Sequence, residues 1–111
     1  MKKNDTLYIG HILEAIGKIE KYLNGVESED FLKSDLLIDA TIRELMIVGE
    51  ATNRLSRLFE QEHAEIPFRD IIGMRNILIH EYTGVDAIFV WQTCKEDLPK
   101  LRETLLSFHS Q

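Results

Sequence analysis

The segment 75–82, RNILIHEY, places an arginine, a histidine and a tyrosine in a run otherwise rich in isoleucine and leucine. A histidine can give or take a proton near neutral pH, and an arginine can hold a phosphate and stabilise charge developing on it. Arg75 and His80 therefore have the groups needed for metal-independent RNA cleavage, in which a 2′-hydroxyl attacks the adjacent phosphorus. One histidine does not easily serve as both base and acid, so we expect a symmetric dimer to supply a second copy.

The spacing of these side chains limits how one helix can use them. At 100° per residue, Arg75 and His80 lie about 140° apart around a straight helix, whereas Asn76 and His80 lie about 40° apart. Thr83 and Gly84 predict that the helix ends close to His80. Either the last turn distorts and brings the side chains together, or a second chain completes the site.

Arg75 needs a partner because its charge cannot be lost among the surrounding apolar residues. A carboxylate is available in the preceding helix, where Glu50 follows Gly49 in the string IVGEATNRLS. A glycine inside a helix costs about 1 kcal/mol against alanine, and it usually marks a close helix contact or a functional neighbour. We therefore predict an ion pair between Glu50 and Arg75.

Length and composition bound the type of protein. The 111 residues predict a single domain, 1–111, and 44% apolar with 29% charged residues is typical of a soluble globular protein. A net charge of −6 gives no global attraction to nucleic acid or to anionic membranes, so any phosphate site must be local. With no membrane-length apolar run and Cys94 as a lone cysteine, we expect a cytoplasmic protein, and we expect Cys94 to be buried.

The first half of the chain predicts two long helices. The first begins after Asn4 or Asp5 as its cap and runs to about Asn24, with Gly25 as a left-handed C-terminal cap. Its apolar residues recur at three- and four-residue steps, which predicts one buried stripe. A short turn capped by Ser28 follows, and the second helix is predicted over 34–61 with Ser34 or Asp35 as its cap.

The second half predicts two more helices. Pro67 suits the first turn of a third helix, which carries the opening motif. Asp86 can cap a fourth helix, which Pro99 must kink or split near Asp97 because proline lacks an N–H and clashes with the preceding turn. No segment alternates with the period of a strand. The predicted fold is an all-α, up-and-down bundle of four to five helices.

A metal site is not indicated, and no cofactor is expected. His11, His63 and His109 lie in unrelated segments, so no group of ligands shares a suitable spacing. An arginine and a histidine in a helix most often make structural hydrogen bonds, and a purely structural four-helix scaffold stays open as an alternative on spacing alone.

The motif also resembles that of a known family. RNILIHEY matches the R-x4-H-x-Y pattern of the HepT-like toxins in the HEPN superfamily, and IPFRDIIGMRNILIHEYTGVD, RELMIVGEATNRLS and the VW and DLP of the last helix extend the likeness to the whole chain. The resemblance implies a dimeric helical bundle and a ribonuclease site at the dimer interface. It assigns catalysis to Arg75 and His80, with Asn76 as the polar residue within the motif.

The family resemblance further implies a regulatory partner. HepT-like toxins are paired with an antitoxin, an MNT-type nucleotidyltransferase, which transfers AMP units to the motif tyrosine, here Tyr82. Such a modification adds bulky negative charge beside the basic pair and should repel an RNA phosphate. Phe68 and Thr83 stand where similar sequences often have Trp and Phe, which affects the expected substrate preference more than the activity.

The leading hypothesis is thus a toxin: a homodimeric, metal-independent endoribonuclease silenced by AMPylation of Tyr82. The alternative is a noncatalytic helical module that binds the nucleotidyltransferase or a nucleotide. Loss of growth arrest on His80→Ala would require the enzymatic role, whereas an intact RNA after incubation with the dimer would favour the binding module.

Overall fold

All regular structure is helical in the computed structural model, which describes residues 3–80 and 84–109, the side chain of His109 excepted. In chain order the helices are α1 (Lys3–Leu23), α2 (Ser28–Leu32), α3 (Asp35–Asn53), α4 (Arg57–Glu62), α5 (Phe68–His80), α6 (Ala87–Gln92) and α7 (Leu98–His109), with a π-helical turn (Thr93–Asp97) joining the last two. The predicted all-α bundle is confirmed. Among the described residues, no helix is both long and apolar enough to cross a membrane.

The core is built from one apolar stripe on each long helix. Helix α1 packs against α3 and α7, and α3 packs against α5 on its other side. The stripe predicted for α1 is confirmed, since its members are almost inaccessible to solvent: Ile9, Ile12, Ile16, Ile19 and Leu23. Because α3 lies between α1 and α5, residues on its two sides either fill the core or face the motif helix.

Helix α1 begins earlier than its predicted cap. Lys3 is already helical, so neither Asn4 nor Asp5 is the N-cap, and that prediction is wrong. The Asp5 side chain is 1% exposed and accepts hydrogen bonds from the backbone N–H and the hydroxyl of Ser56, at 2.8 and 2.6 Å. The left-handed end of α1 is confirmed, because Gly25 has a φ of 75°. Asp5 thus stabilises a distant turn instead of its own helix.

That turn divides the predicted second helix. A single helix over 34–61 is wrong: α3 ends at Asn53, and α4 starts afresh after Ser56, whose hydroxyl accepts from the N–H of Phe59. The backbone of Ser56 is extended, and Asp5 accepts hydrogen bonds from both its N–H and its hydroxyl. These bonds favour Ser56 as the N-cap of a new helix over a continuous helix through this position. Ser34 caps α3 as predicted.

The starts of α2 and of the motif helix α5 differ slightly from the predicted positions. Ser28 is the first residue of α2 and not its cap, since Glu27 occupies the N-cap position without a side-chain bond. Pro67 directly precedes α5 at the N-cap position, one residue before the first turn predicted for it, and its carbonyl accepts from the N–H of Ile71 at 3.1 Å.

The last helical stretch is interrupted where the proline predicts. Asp86 caps α6, and its carboxylate accepts from the N–H of Ile88 at 2.9 Å. The π-helical turn ends at Asp97, and the N–H of Leu98 bonds five residues back to the carbonyl of Thr93. The interruption near Asp97 is confirmed, and it takes the form of a widened turn.

Candidate active site

The motif helix meets α3 at a glycine. Gly49 is buried, and a Cβ built at this position would overlap the Cβ and Cγ of Arg75. No other residue type fits without separating the two helices. The mid-helix glycine therefore marks a close helix contact, as predicted, and this contact places the stem of Arg75 against α3.

The guanidinium of Arg75 is held by two acceptors. Its Nη2 donates to Oε2 of Glu50 at 2.6 Å, and its Nη1 donates to Oδ1 of Asn76 at 3.0 Å. The predicted pair between Glu50 and Arg75 is confirmed. The Nε of Arg75 is buried and has no hydrogen-bond partner among the described residues. At 27% exposure, the Arg75 side chain is fixed in place and still reachable from solvent.

Glu50 binds a second cation that sequence reasoning did not place in the site. Its Oε1 accepts from Nε of Arg54 at 3.3 Å, so its two oxygens serve two different arginines. Interaction with Tyr8, and then with Glu50, raises the pKa of the Arg54 guanidinium above its ordinary value. The four-residue spacing of Glu50 and Arg54 on one helix was the signal that could have revealed this contact.

A groove of about 660 Å³ runs between α3 and α5 along this ion pair. Glu50 and Arg75 are charged residues of its lining, as are Asp39 and Arg43, and most of its remaining surface is aliphatic. Its other lining residues are Ile42, Met46, Ile47, Leu78 and Ile79. A charged pair beside an open apolar groove is suited to a ligand that has both a phosphate and a flat apolar group.

His80 is the last residue of α5 and is exposed. Because α5 keeps an α-helical conformation through His80, the predicted distortion does not occur within Phe68–His80. The side chains of Arg75 and His80 leave the axis about 140° apart and about 7.5 Å along it. One chain, as far as it is described, does not bring them together. Tyr82, the predicted modification site, lies outside the described residues, as does Thr83.

The other histidines with described side chains lie elsewhere. The ring of His11 packs edge-on against Tyr8, and His63 packs between Phe59 and Phe108. Across residues 3–80 and 84–109, no group of three or more His, Cys, Asp or Glu side chains is placed to hold a metal ion.

Comparison with known proteins places this arrangement in a family. The model of the family described as "Ribonuclease HepT-like" matches residues 12–108. The chain is 42% identical over 102 residues to a protein of Thermococcus cleftensis named "Probable ribonuclease HepT", covering 92% of this chain and 93% of that one. It is 38% identical over 96 residues to a "Putative RNase" of Caldanaerobacter subterraneus, covering 86% of each.

A longer relative contains the same region as one part. The chain is 42% identical over 106 residues to a Methanocaldococcus jannaschii protein named "Gamma-glutamylcyclotransferase and putative RNase". The match covers 96% of this chain and 48% of that protein, so the chain spans about half the length of this relative. No solved structure matches the chain closely enough for comparison. The family match and these relatives together show that the chain belongs to the HepT-like ribonuclease family.

Proposed function

We propose that this protein is the toxin of a toxin–antitoxin pair and acts in the cytoplasm as a dimeric, metal-independent endoribonuclease. Arg75 and His80 are its catalytic residues, and Glu50 and Asn76 support them. The observation that carries the proposal is the setting of Arg75. It is anchored by two acceptors beside an open groove, in a chain of a ribonuclease family.

The chemistry of Arg75 suits a phosphate. A guanidinium has five N–H donors in one plane, and the bonds to Glu50 and Asn76 occupy one each. An anchored guanidinium loses little freedom when it binds a phosphodiester, because its orientation is already set. Arg75 therefore binds the scissile phosphate and stabilises the negative charge that builds on it during attack.

His80 moves the protons. One copy takes the proton of the 2′-hydroxyl, the 2′-oxygen bonds to phosphorus, and the bond from phosphorus to the 5′-oxygen breaks. A second copy of His80, on the partner chain, gives its proton to the departing 5′-oxygen. The products are a 2′,3′-cyclic phosphate and a 5′-hydroxyl. The wide angle between Arg75 and His80 on α5 supports a site completed by two chains.

Regulation acts on the motif tyrosine. An MNT-type nucleotidyltransferase antitoxin transfers AMP from ATP to the hydroxyl of Tyr82. The tyrosine oxygen bonds to the α-phosphorus, pyrophosphate leaves, and the neutral phenol becomes an anionic phosphodiester two residues beyond His80. The added charge repels the RNA phosphate, and the added nucleotide blocks access to it.

A cleavage assay tests the proposed enzyme. The purified protein should cleave RNA in the presence of excess EDTA and leave cyclic phosphate ends, and His80→Ala should remove this activity. Light scattering should show a dimer. Intact RNA with the wild-type protein would overturn the ribonuclease and leave the noncatalytic binding module. An active monomer would overturn the shared site.

Production together with an MNT-type nucleotidyltransferase tests the regulation. Mass spectrometry should find adenylyl units on the peptide that contains Tyr82, and the modified protein should no longer cleave RNA. The variant Tyr82→Phe, which lacks the phenolic oxygen, should keep its activity in the same cells. Silencing of the wild-type protein without adenylylation would contradict this mechanism.

A further inference from the structure

One cation beside the candidate active site has no role in the proposed chemistry. Arg54 is the C-cap of α3, and its backbone N–H donates to the carbonyl of Ala51 at 3.1 Å, which fixes its position at the helix end. Its side chain reaches back one turn to Glu50, the same carboxylate that anchors Arg75. The side chain of Arg54 is 58% exposed, so it is not needed to fill the core.

Arg54, Glu50 and Arg75 form a charged cluster whose net charge attracts an anion. Glu50 alone would neutralise Arg75 and leave a pair with no net charge. With Arg54 on the other oxygen of Glu50, two cations share one anion, and the cluster has a net charge of +1. This local excess matters because the whole chain has a charge of −6.

Tyr8, on α1, is the largest cause of the raised pKa of Arg54, ahead of Glu50. The hydrogen bonds form a continuous polar chain from Arg54 through Glu50 to Arg75. It connects α3 to α5 and fixes the orientation of the Glu50 carboxylate.

We propose that Arg54 is a positioning residue that acts on Arg75 through Glu50. By binding Oε1 of Glu50, Arg54 orients Oε2 toward Arg75 and limits how far Glu50 neutralises it, so that Arg75 keeps its affinity for a phosphodiester. This inference rests on the proposed ribonuclease function, since the phosphodiester is that of the RNA. Arg54 itself does not touch the substrate.

A double-mutant cycle tests this route. We expect Arg54→Gln to lower kcat/KM for RNA cleavage about fivefold, as for the loss of one surface charge contact. In the Glu50→Gln background the same substitution should change kcat/KM less than about twofold, because the carboxylate that couples Arg54 to Arg75 is absent. An equal loss in both backgrounds would show that Arg54 binds the RNA directly, and would overturn the inference. Arg54→Lys, which keeps the charge, should restore most of the activity.

A control and a second measurement separate this inference from the proposed function. Arg102→Gln removes the same charge and a comparable surface ion pair, with Glu20 at 3.1 Å, and should leave kcat/KM unchanged. The NMR signal of the Arg75 Nε–H should shift on Arg54→Gln when Glu50 is present and stay in place in the Glu50→Gln background. If the wild-type protein does not cleave RNA, the proposed function fails, and this signal alone decides the coupling. An unmoved signal would overturn it.

Discussion

Two carboxylates each connect two helices of this protein, and they do so in opposite environments. Asp5 is 1% exposed, and its two oxygens accept from the uncharged backbone N–H and hydroxyl of Ser56. The side chain of Glu50 is 41% exposed, and its two oxygens accept from the guanidiniums of Arg54 and Arg75. Both carboxylates bind two donors, and they differ in burial and in the charge of those donors.

This difference in burial and donor charge suggests different roles: the contact of Asp5 stabilises the fold, whereas the contact of Glu50 is available to a ligand. Asp5 accepts from both the N–H and the hydroxyl of Ser56, and removing that carboxylate would leave partly buried polar groups without these partners. The arginines around Glu50 keep further N–H donors in contact with solvent, and exposed ion pairs contribute little to stability. We therefore expect substitutions around Asp5 to affect folding and substitutions around Glu50 to affect activity.

The largest expected effect is on activity. Arg75→Gln should lower kcat/KM for RNA cleavage about 100-fold or more, because it removes the group that stabilises the charge on phosphorus. The free energy of unfolding, measured with urea, should change by less than about 1 kcal/mol, since the ion pair with Glu50 is partly open to solvent. Arg102→Gln, on α7, should change neither quantity. A large loss of stability with normal kinetics would make Arg75 a structural residue.

Substitution of Asp5 should show the opposite pattern. Asp5→Ala should lower the free energy of unfolding by about 2 kcal/mol, because it removes two hydrogen bonds and leaves the partly buried N–H and hydroxyl of Ser56 without these partners. The cleavage rate per folded molecule should stay the same. Asn4→Ala, at the exposed neighbouring position, should cost less than about 0.5 kcal/mol. If both variants cost the same, the buried contact does not stabilise the fold as we describe.

Gly49→Ala should disturb stability and activity together, because it acts on the helix contact that carries Arg75. The added methyl overlaps the stem of Arg75, which costs about 2 kcal/mol after the helices adjust, and the displaced guanidinium should lower kcat/KM. Gly17→Ala in α1 is the matched control. A Cβ at Gly17 meets no atom among the described residues, so Gly17→Ala should raise the free energy of unfolding by about 1 kcal/mol. Equal effects at the two glycines would contradict the close contact.

The smallest expected effect concerns a buried group without a charge. Burial raises the pKa of the Cys94 thiol from 9.0 to about 12. Since the folded state keeps the proton longer, the stability from this group is intact below pH 9 and is lost as the pH rises toward 12. At pH 10 the loss should be about 1 kcal/mol relative to pH 8, and Cys94→Ala should lack this component in urea unfolding. The same pH dependence in both proteins would exclude Cys94 as its source.

Much of the site could be predicted from the sequence because its signals are local. Gly49 inside a helix and Glu50 beside it pointed to a close contact and a charge partner, and the structure confirms both. The cap at Asp86 and the interruption before Pro99 could also be predicted locally, because an aspartate accepts from free N–H groups and a proline lacks an N–H. The roles of Arg75, His80 and Tyr82 in catalysis and regulation stay predictions.

The sequence by itself determined the helical periodicity, the apolar stripes, several of the helix caps and interruptions, and the single motif with usable chemistry. Tertiary structure decided where α3 ends, because that depends on Asp5, which lies 51 residues before Ser56. It also decided that Arg54 shares Glu50 with Arg75, since the bond joining α5 to this cluster spans 25 residues. Spacing along the chain encodes which residues share a helix face. The meeting of two faces depends on packing between helices, which the local pattern does not contain.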